Sequence, residues 1–251
     1  MRRRFFVEHV RNGHAEISGD DAKHLTRVLR VEAGERYEIS DNQNVYLAEI
    51  ETARKEQVVF RTIEKLPAVE PSLRLILCAA LIKFDHFEWM MEKATELGVA
   101  EIMPVIGARS EHGLERAAAK RIGRWRRIAL EASQQSRRAY LPEVHEPLTF
   151  EEVIRLPRER VACRYVLDEE PGGVPLVSAL PQERGAVESV ALLVGPEGGW
   201  TVAERAVFAE HYWTAVTMGP LILRAETAAI AALAVVGNTW LSVETHLSSR
   251  S

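Results

Sequence analysis

The sequence predicts an α/β protein in which a small β-rich unit precedes a mostly parallel, helix-flanked sheet. Three observations predict it. Residues 1–66 alternate apolar and polar positions on either side of turn-forming residues, the period of half-buried strands. From residue 73 onward, continuous apolar runs alternate with amphipathic stretches, as strands buried on both faces alternate with helices. Between the two lies LPAVEPSL, with Pro67 and Pro71, a short stiff linker that sets a domain boundary between 1–69 and 70–251.

In the first unit, ERYEISDNQNVYLAEI is a hairpin pattern turning through DNQN, and QVVFRTIEKL adds a strand. DDAKHLTRVLR places Leu25, Val28 and Leu29 on one face of a short helix. In the second unit, LRLILCAALI is a strand buried on both faces. DHFEWMMEKATELG follows as a helix, with Asp85 and Glu88 at capping-box spacing and Gly98 placed to end it. AEIMPVI is the next strand, and residues 114–138 form one long helix in this reading. VACRYVL and SVALLV are two more buried strands. WTAVTM follows, then an Ala-rich helix to about residue 241 and a polar, fraying tail, THLSSRS.

A chain of 251 residues suffices for one large domain or two small ones. Its 47% apolar and 27% charged residues are those of a soluble globular protein. The net charge of −4 excludes a polycation, so any nucleic-acid site must be a local basic patch. Cys78 and Cys163 fall in apolar runs, as buried thiols do. The eight histidines lack ligand spacing, so no metal is expected. No window approaches the ~20 apolar residues of a membrane span. The start, MRRRFFVEHV, lacks the apolar stretch of a signal peptide. A cytoplasmic protein without membrane association is expected.

The chemistry concentrates in two stretches. In SVALLVGPEGGWTVAERAVF a buried strand ends at Val194 and turns through Gly195-Pro196-Glu197-Gly198-Gly199. Thr201 then caps a helix with Glu204 as its capping-box partner. Such a turn lies at the carboxyl edge of a parallel sheet, where ligands of open α/β sheets bind, and glycines let the backbone approach them. The pattern is neither G-x-G-x-x-G nor the phosphate-cradling G-x-x-x-x-G-K-[ST]. Glu197 at its centre repels a pyrophosphate and suits a ligand with positive charge or hydroxyl donors. A tight turn that merely needs positive φ angles explains the glycines as well. The second stretch, MGPLILRAETAAIAAL, offers Leu221-Ile222-Leu223 as an apolar slot for a flat ring. Arg224 and Glu226 stand at the mouth of a nearly all-apolar helix, where Thr227 can cap it and Glu226 suits its N-terminal dipole. A buried charge is costly unless paired or used. The two are therefore a structural salt bridge or catalytic groups.

LLVGPEGGWTVAE and MGPLILRAETAAIAAL, in that order, resemble the RsmE family of SPOUT methyltransferases, the 16S ribosomal RNA uridine-N3 methyltransferases. The resemblance covers nearly the whole chain. MRRRFF and HLTRVLRVEAGE are similar to that family's PUA-like RNA-binding domain. WMMEKATELGVAEIMPV and RWRRIALEASQQSRRAYLPEV are similar to the first half of its catalytic domain. The resemblance implies a SPOUT-type trefoil knot in the C-terminal third, which sequence rules alone would not suggest. It also implies S-adenosyl-L-methionine (SAM) bound in that knot, a homodimer, and 16S rRNA of the small ribosomal subunit as partner. Carried onto this chain, the implied cofactor-binding residues are Leu167, Val194, Gly195, Pro196, Glu197, Gly198, Met218, Gly219, Leu221, Ile222, Leu223, Ala225 and Thr227. Three stretches depart from the family pattern. Lys-Gly-Asp-Arg is here Lys83-Phe84-Asp85-His86. Thr-Glu-Arg-Ser is Gly107-Ala108-Arg109-Ser110, and Glu-Gln-Ser is Gln134-Gln135-Ser136.

Arg116, Lys120, Arg124 and Arg127 recur at helical spacing on one face, with Ile122, Trp125, Ala129 and Ala132 on the buried face. Arg121, Arg126, Arg137 and Arg138 widen the stripe. Arg2, Arg3, Arg4, Lys23, Arg27 and Arg30 form a second cluster in the small unit. By themselves these are solvated faces. Under the resemblance they neutralise phosphates without reading sequence, with Arg3, Arg4, Arg27, Arg30, Arg109, Arg124, Arg127, Arg137 and Arg138 as the RNA-binding residues. The implied reaction unpairs a uracil, removes its N3 proton and aligns N3 with a methyl sulfonium. Arg224 stabilises the developing imide anion. Glu226 either takes the proton or orients Arg224. The rival readings are a SPOUT enzyme with another RNA target, such as a tRNA ribose, and a non-catalytic RNA-binding ribosome-assembly factor.

Overall fold

The computed structural model describes residues 3–68, 73–111, 113–157, 159–170, 172–183 and 187–239. Arg2, the linker residues 69–72 with Pro71, Trp240 and the tail THLSSRS lie outside the described residues. The chain divides into two compact units, residues 1–70 with 130–141, and residues 71–129 with 142–251.

The first unit contains β1 (Arg4–Phe6), β2 (His14–Ser18), α1 (Gly19–Arg27), β3 (Arg36–Ser40), β4 (Val45–Arg54) and β5 (Gln57–Leu66). Its sheet runs β1-β3-β4-β5-β2, antiparallel except for β1 on β3. Alternating residues such as Ile17, Ile39, Ile50, Val58 and Phe60 form the core, with Phe5 and Leu25. The DNQN turn forms because the Asp41 carboxylate accepts from the backbone N–H groups of Gln43 and Asn44, at 3.0 and 2.6 Å. One expectation is corrected here. α1 ends at Arg27, so Val28 falls beyond the last helical turn and is exposed, while Leu25 is buried.

The second unit opens with β6 (Arg74–Ala80), α2 (Phe84–Glu96), β7 (Glu101–Ile106) and α3 (Leu114–Ala118). A 3-10 turn (Ala119–Arg121) leads to α4 (Ile122–Gln135), whose last turns count with the first unit. There follow β8 (Glu143–Val144), β9 (Leu148–Thr149), α5 (Phe150–Ile154), β10 (Cys163–Leu167), β11 (Val174–Pro175) and α6 (Leu176–Ala179). The chain ends with β12 (Ser189–Val194), α7 (Val202–Ala206), β13 (Thr214–Thr217) and α8 (Ala225–Thr239). The strand order is β11-β13-β10-β12-β6-β7-β8, with β9 also on β7, and every pairing is parallel. Both faces of the central strands are covered. Leu75, Leu77 and Leu192 point into one apolar layer with Met90, Trp125 and Leu233, and Ile76, Cys78 and Leu193 into another with Trp200 and Trp213. That is why these strands read as continuous apolar runs.

Two helix expectations are corrected. Asp85 and Glu88 form no capping box: Lys83 is the N-cap of α2 and makes no side-chain cap bond. Glu88 instead accepts from Arg121 and Arg124, each at 2.8 Å. The predicted helix over 114–138 is broken at the 3-10 turn and stops at Gln135, with Arg137 in the left-handed region at φ 58°. Both cysteines are thiols; burial pushes Cys78 far up and Cys163 up as well, so neither is a ready thiolate.

Candidate functional site

Because the sheet is parallel, the carboxyl ends of β10, β12 and β13 share one edge. The loops leaving them wall a cavity of about 260 Å³. Leu167, Val194, Gly195, Pro196, Glu197, Met218, Gly219, Leu221, Ile222, Leu223 and Ala225 line it. Asp168, Glu169, Gly199, Trp200, Thr217, Pro220, Arg224 and Ala228 line it too. Gly198 and Thr227, expected among the binding residues, are not on its wall.

Local chemistry explains the loop after β12. The Gly199 N–H donates to the Pro196 carbonyl at 2.8 Å, closing a tight turn, and Gly199 takes φ +64°. A Cβ there would also meet a Glu169 carboxylate oxygen at 2.5 Å. Trp200 is buried, and its Nε1–H donates to the Leu167 carbonyl at 3.0 Å, tying this loop to the end of β10. The Thr201–Glu204 capping box forms as the spacing predicts. Glu204 also accepts from the Ala108 N–H at 3.1 Å. Arg109 donates to the Gly198 carbonyl at 2.7 Å, and its aliphatic stem lies 3.3 Å from where a Gly198 Cβ would stand. Gly198 therefore faces Arg109, and Arg109 buttresses the glycine turn.

The loop after β13 behaves differently. Gly219 needs its glycine, at φ +129°. Leu223 is half-buried, but Leu221 and Ile222 are 76% and 80% exposed, so the expected slot is open on one side. α8 begins at Ala225, which places Thr227 inside the first turn, exposed, and not at the cap.

The cavity carries negative charge. Arg205 holds Asp168 with two bonds of 2.9 Å and reaches Glu170 at 3.2 Å. Glu169 and Glu197 form no ion pair among the described residues.

Arg224 and Glu226 do not pair with each other. Arg224 is exposed at the cavity mouth, and its carbonyl accepts from the Ala228 N–H at 2.8 Å. Glu226 turns the other way, toward α2. Its side chain is 6% exposed, and its Oε1 lies 2.9 Å from Nδ1 of His86. The salt-bridge alternative for this pair thus finds no counterpart. Asp168 and Glu169 were missed as lining residues; they directly follow Leu167 at the end of a recognised strand, which was signal enough.

The basic residues divide in two groups. Arg3, Arg27 and Arg30 are exposed. Arg4 and Arg137 both hold Glu38, Arg4 at 2.7 Å and Arg137 at 2.5 Å, and burial pushes Arg138 down to about 10. Arg124 is engaged with Glu88 at 2.7 Å, while Arg127 is exposed on the same helix. Burial alone pushes the Glu88 carboxyl up, yet Arg124 and Arg121 hold it below the usual carboxylate range. Glu101, Glu143 and His145 bring possible ligand atoms within 4.8 Å of one another. Arg74 and Arg160 already converge on Glu101, and two guanidinium groups oppose a metal cation there.

The parallel sheet with its glycine-turn cavity and the small five-stranded unit both fall in the class of RNA methyltransferases. Residues 69–237 match the RNA methyltransferase domain model and residues 17–63 the RNA methyltransferase PUA domain model. The chain belongs to the ribosomal RNA small subunit methyltransferase E family. It is 30% identical over 249 residues to the Bacillus subtilis protein of that name, covering 93% of this chain and 95% of that one. It is 32% identical over 230 residues to the Mycobacterium bovis protein, covering 89% and 86%. The crystal structure of the Neisseria gonorrhoeae enzyme of that name, bound to S-adenosyl methionine, superposes with a TM-score of 0.85 at 26% identity, over 96% of this chain and 98% of that one.

Proposed function

We infer that this protein transfers the methyl group of SAM to N3 of a specific uridine in 16S rRNA of the small ribosomal subunit. The observation that carries the reading is the cavity at the carboxyl edge. Its residues fit SAM: Met218, Leu223, Ala225 and Ala228 offer apolar wall to an adenine, and Glu169 and Glu197 offer carboxylates to a cation. Open backbone at Gly219, where an added Cβ would meet nothing within 4 Å, lets a ligand approach closely, whereas Gly195 makes room for the Trp200 indole. When bound, SAM supplies an electrophilic methyl group. The chain's own part is alignment and charge. Arg224, exposed at the mouth, is placed to meet negative charge that develops on a uracil oxygen. Arg3, Arg27 and Arg30 expose cations suited to phosphates in the small unit.

The same reading takes residues 1–69 as a PUA-like RNA-binding domain and 70–251 as the methyltransferase domain, with a trefoil knot. It includes a homodimer, for which the exposed Leu221 and Ile222 beside an apolar α8 provide a surface. Among the described residues no helix is long and apolar enough to cross a membrane. A ribosome-modifying enzyme places its work in the cytoplasm.

The test is methyl transfer from labelled SAM to small-subunit particles, followed by mapping of the modified nucleotide. N3-methyluridine at one position is expected. A ribose mark, or no transfer to the small subunit, would overturn the reading. Light scattering should give twice the 28.2 kDa of one chain.

A further inference from the structure

The geometry points to His86 as the group that accepts the N3 proton, with Glu226 as the residue that positions it. This rests on the uridine-N3 reading above. Glu226 cannot easily meet a substrate. Its side chain is 6% exposed, and its Oε1 already faces Nδ1 of His86 at 2.9 Å. The imidazole is the accessible member of the pair, 34% exposed. A carboxylate only accepts, so the Glu226 bond fixes the proton on Nδ1 and leaves Nε2 as the acceptor of the neutral ring. Nε2 has no hydrogen-bond partner among the described residues. Asp85 stands 3.8 Å from it, beyond bonding distance, and is largely exposed.

Position supports the role. His86 and Glu226 stand just beyond the cavity wall: Glu226 follows Ala225, which lines it, in the first turn of α8, and His86 meets Glu226 from α2. Among the described residues Arg121 and Arg124 also reach α2, and both hold Glu88. Arg121 also stacks on Phe84, 4.3 Å from the ring centroid. Two carboxylates, Glu226 and Asp85, therefore face the imidazole, and they suit the cation it becomes. A guanidinium in its place would pair with a carboxylate but could not take a proton near neutral pH, whereas an imidazole can.

The step balances. The uracil N3–H bond breaks and its proton passes to Nε2. The N3 electron pair forms the new bond to the methyl carbon, and the carbon–sulfur bond breaks with its pair left on sulfur. Methyluridine and the thioether product leave, and the imidazolium returns its proton to water.

The test is the pH dependence of single-turnover methylation of small-subunit particles, with His86→Gln and His86→Arg beside the wild type. The wild-type rate should fall toward acid pH, since an imidazole that already carries a proton cannot accept another. Both variants should lose that limb, run about 10²-fold slower near neutral pH, and recover as alkali ionises the uracil. SAM affinity by calorimetry should stay within a few-fold of wild type, which separates chemistry from misfolding. In the unliganded protein, a slowly exchanging imidazole Nδ1–H signal should be present and should vanish in Glu226→Gln. Rates and profiles equal to wild type in both variants would overturn the inference. So would a uniform fall that keeps the acid limb, because His86 would then be only a strut. A wild-type enzyme that methylates no uridine N3 at any pH would remove the proposed function and this inference with it.

Discussion

Two carboxylates are buried at opposite edges of one parallel sheet, and they are held very differently. Glu101 opens β7 at the amino edge, and its side chain is 2% exposed. Arg74, Arg160 and His145 all converge on it, with His145 at 2.8 Å and Arg160 at 2.5 Å. Glu226 starts α8 at the carboxyl edge and meets one imidazole. Burial alone would push the Glu101 carboxyl up, yet His145, Arg160 and Arg74 hold it below the usual range. A charge surrounded by permanent cations cannot change state without loss of stability. A carboxylate that meets a single imidazole is not locked in that way. The difference separates a rivet from a working pair, although both look alike as buried glutamates.

The largest effect should come from breaking the rivet. Glu101→Ala leaves two guanidinium groups without their buried counter-charge and His145 with only Glu143, at 3.6 Å, and should cost about 3–5 kcal/mol in urea unfolding. SAM affinity of the folded fraction should hold. The pH dependence follows in sign. Because the folded pKa of Glu101 is depressed, its stabilisation is present above the unfolded pKa, about 4.3, and is lost as pH falls through the lower folded value. Glu88 adds in the same direction. In Glu101→Ala the acid loss of stability should be shallower. A cost below 1 kcal/mol would make the cluster decorative and the comparison empty.

At the working edge, Arg224→Ala should lower single-turnover methylation by about 10²–10³-fold, the loss expected for one preorganised charge donor. SAM and RNA should still bind. A wild-type rate would restrict Arg224 to lining the cavity, and the chemistry would rest on the His86 side alone.

The glycine turn gives a smaller, sharper contrast. Gly199→Val must adopt a left-handed φ that a β-branched residue resists, and its Cβ must displace Glu169 from the cavity wall. SAM affinity should fall about tenfold, or about 1.4 kcal/mol, because the displaced carboxylate and the added methyl groups alter the wall that meets the ligand. Gly198→Val points at the flexible stem of Arg109 and should change affinity only a few-fold. Equal losses at the two glycines, read by calorimetry, would mean that the turn responds as one unit.

Local patterns were legible in the sequence. The apolar runs gave β6, β10 and β12, the Thr201–Glu204 spacing gave a true capping box, and the glycine turn gave the cavity's floor. Long-range pairing was not legible. Periodicity states that β12 is buried on both faces but not that it lies between β10 and β6. His86 and Glu226 are 140 residues apart, and no local rule joins them. Charge was the least legible of all. Arg124 reads as part of a basic stripe, yet Glu88, itself expected to cap α2, holds it. The pattern shows which residues share a face. It does not show which of them already have partners.

That distinction sets the smallest prediction. Arg27 and Arg30 are exposed and form no ion pair among the described residues, unlike Arg4 and Arg137, which share Glu38. Arg27 lies in the last turn of α1, where a cation also favours the helix dipole, a contribution of about 0.3–1 kcal/mol. Two roles therefore compete for it. If Arg27 and Arg30 meet phosphates, replacing both with Gln should reduce the slope of log affinity against log salt by roughly 0.7–0.9 per lost contact. SAM affinity and the single-turnover rate at saturating RNA should be unchanged. If they serve only the helix, the slope should stay put and thermal stability should fall slightly instead. Arg4→Gln provides the counter-case. It should cost stability through Glu38 and leave the salt slope nearly unaltered, because a guanidinium already neutralised within the fold releases few counterions when RNA arrives.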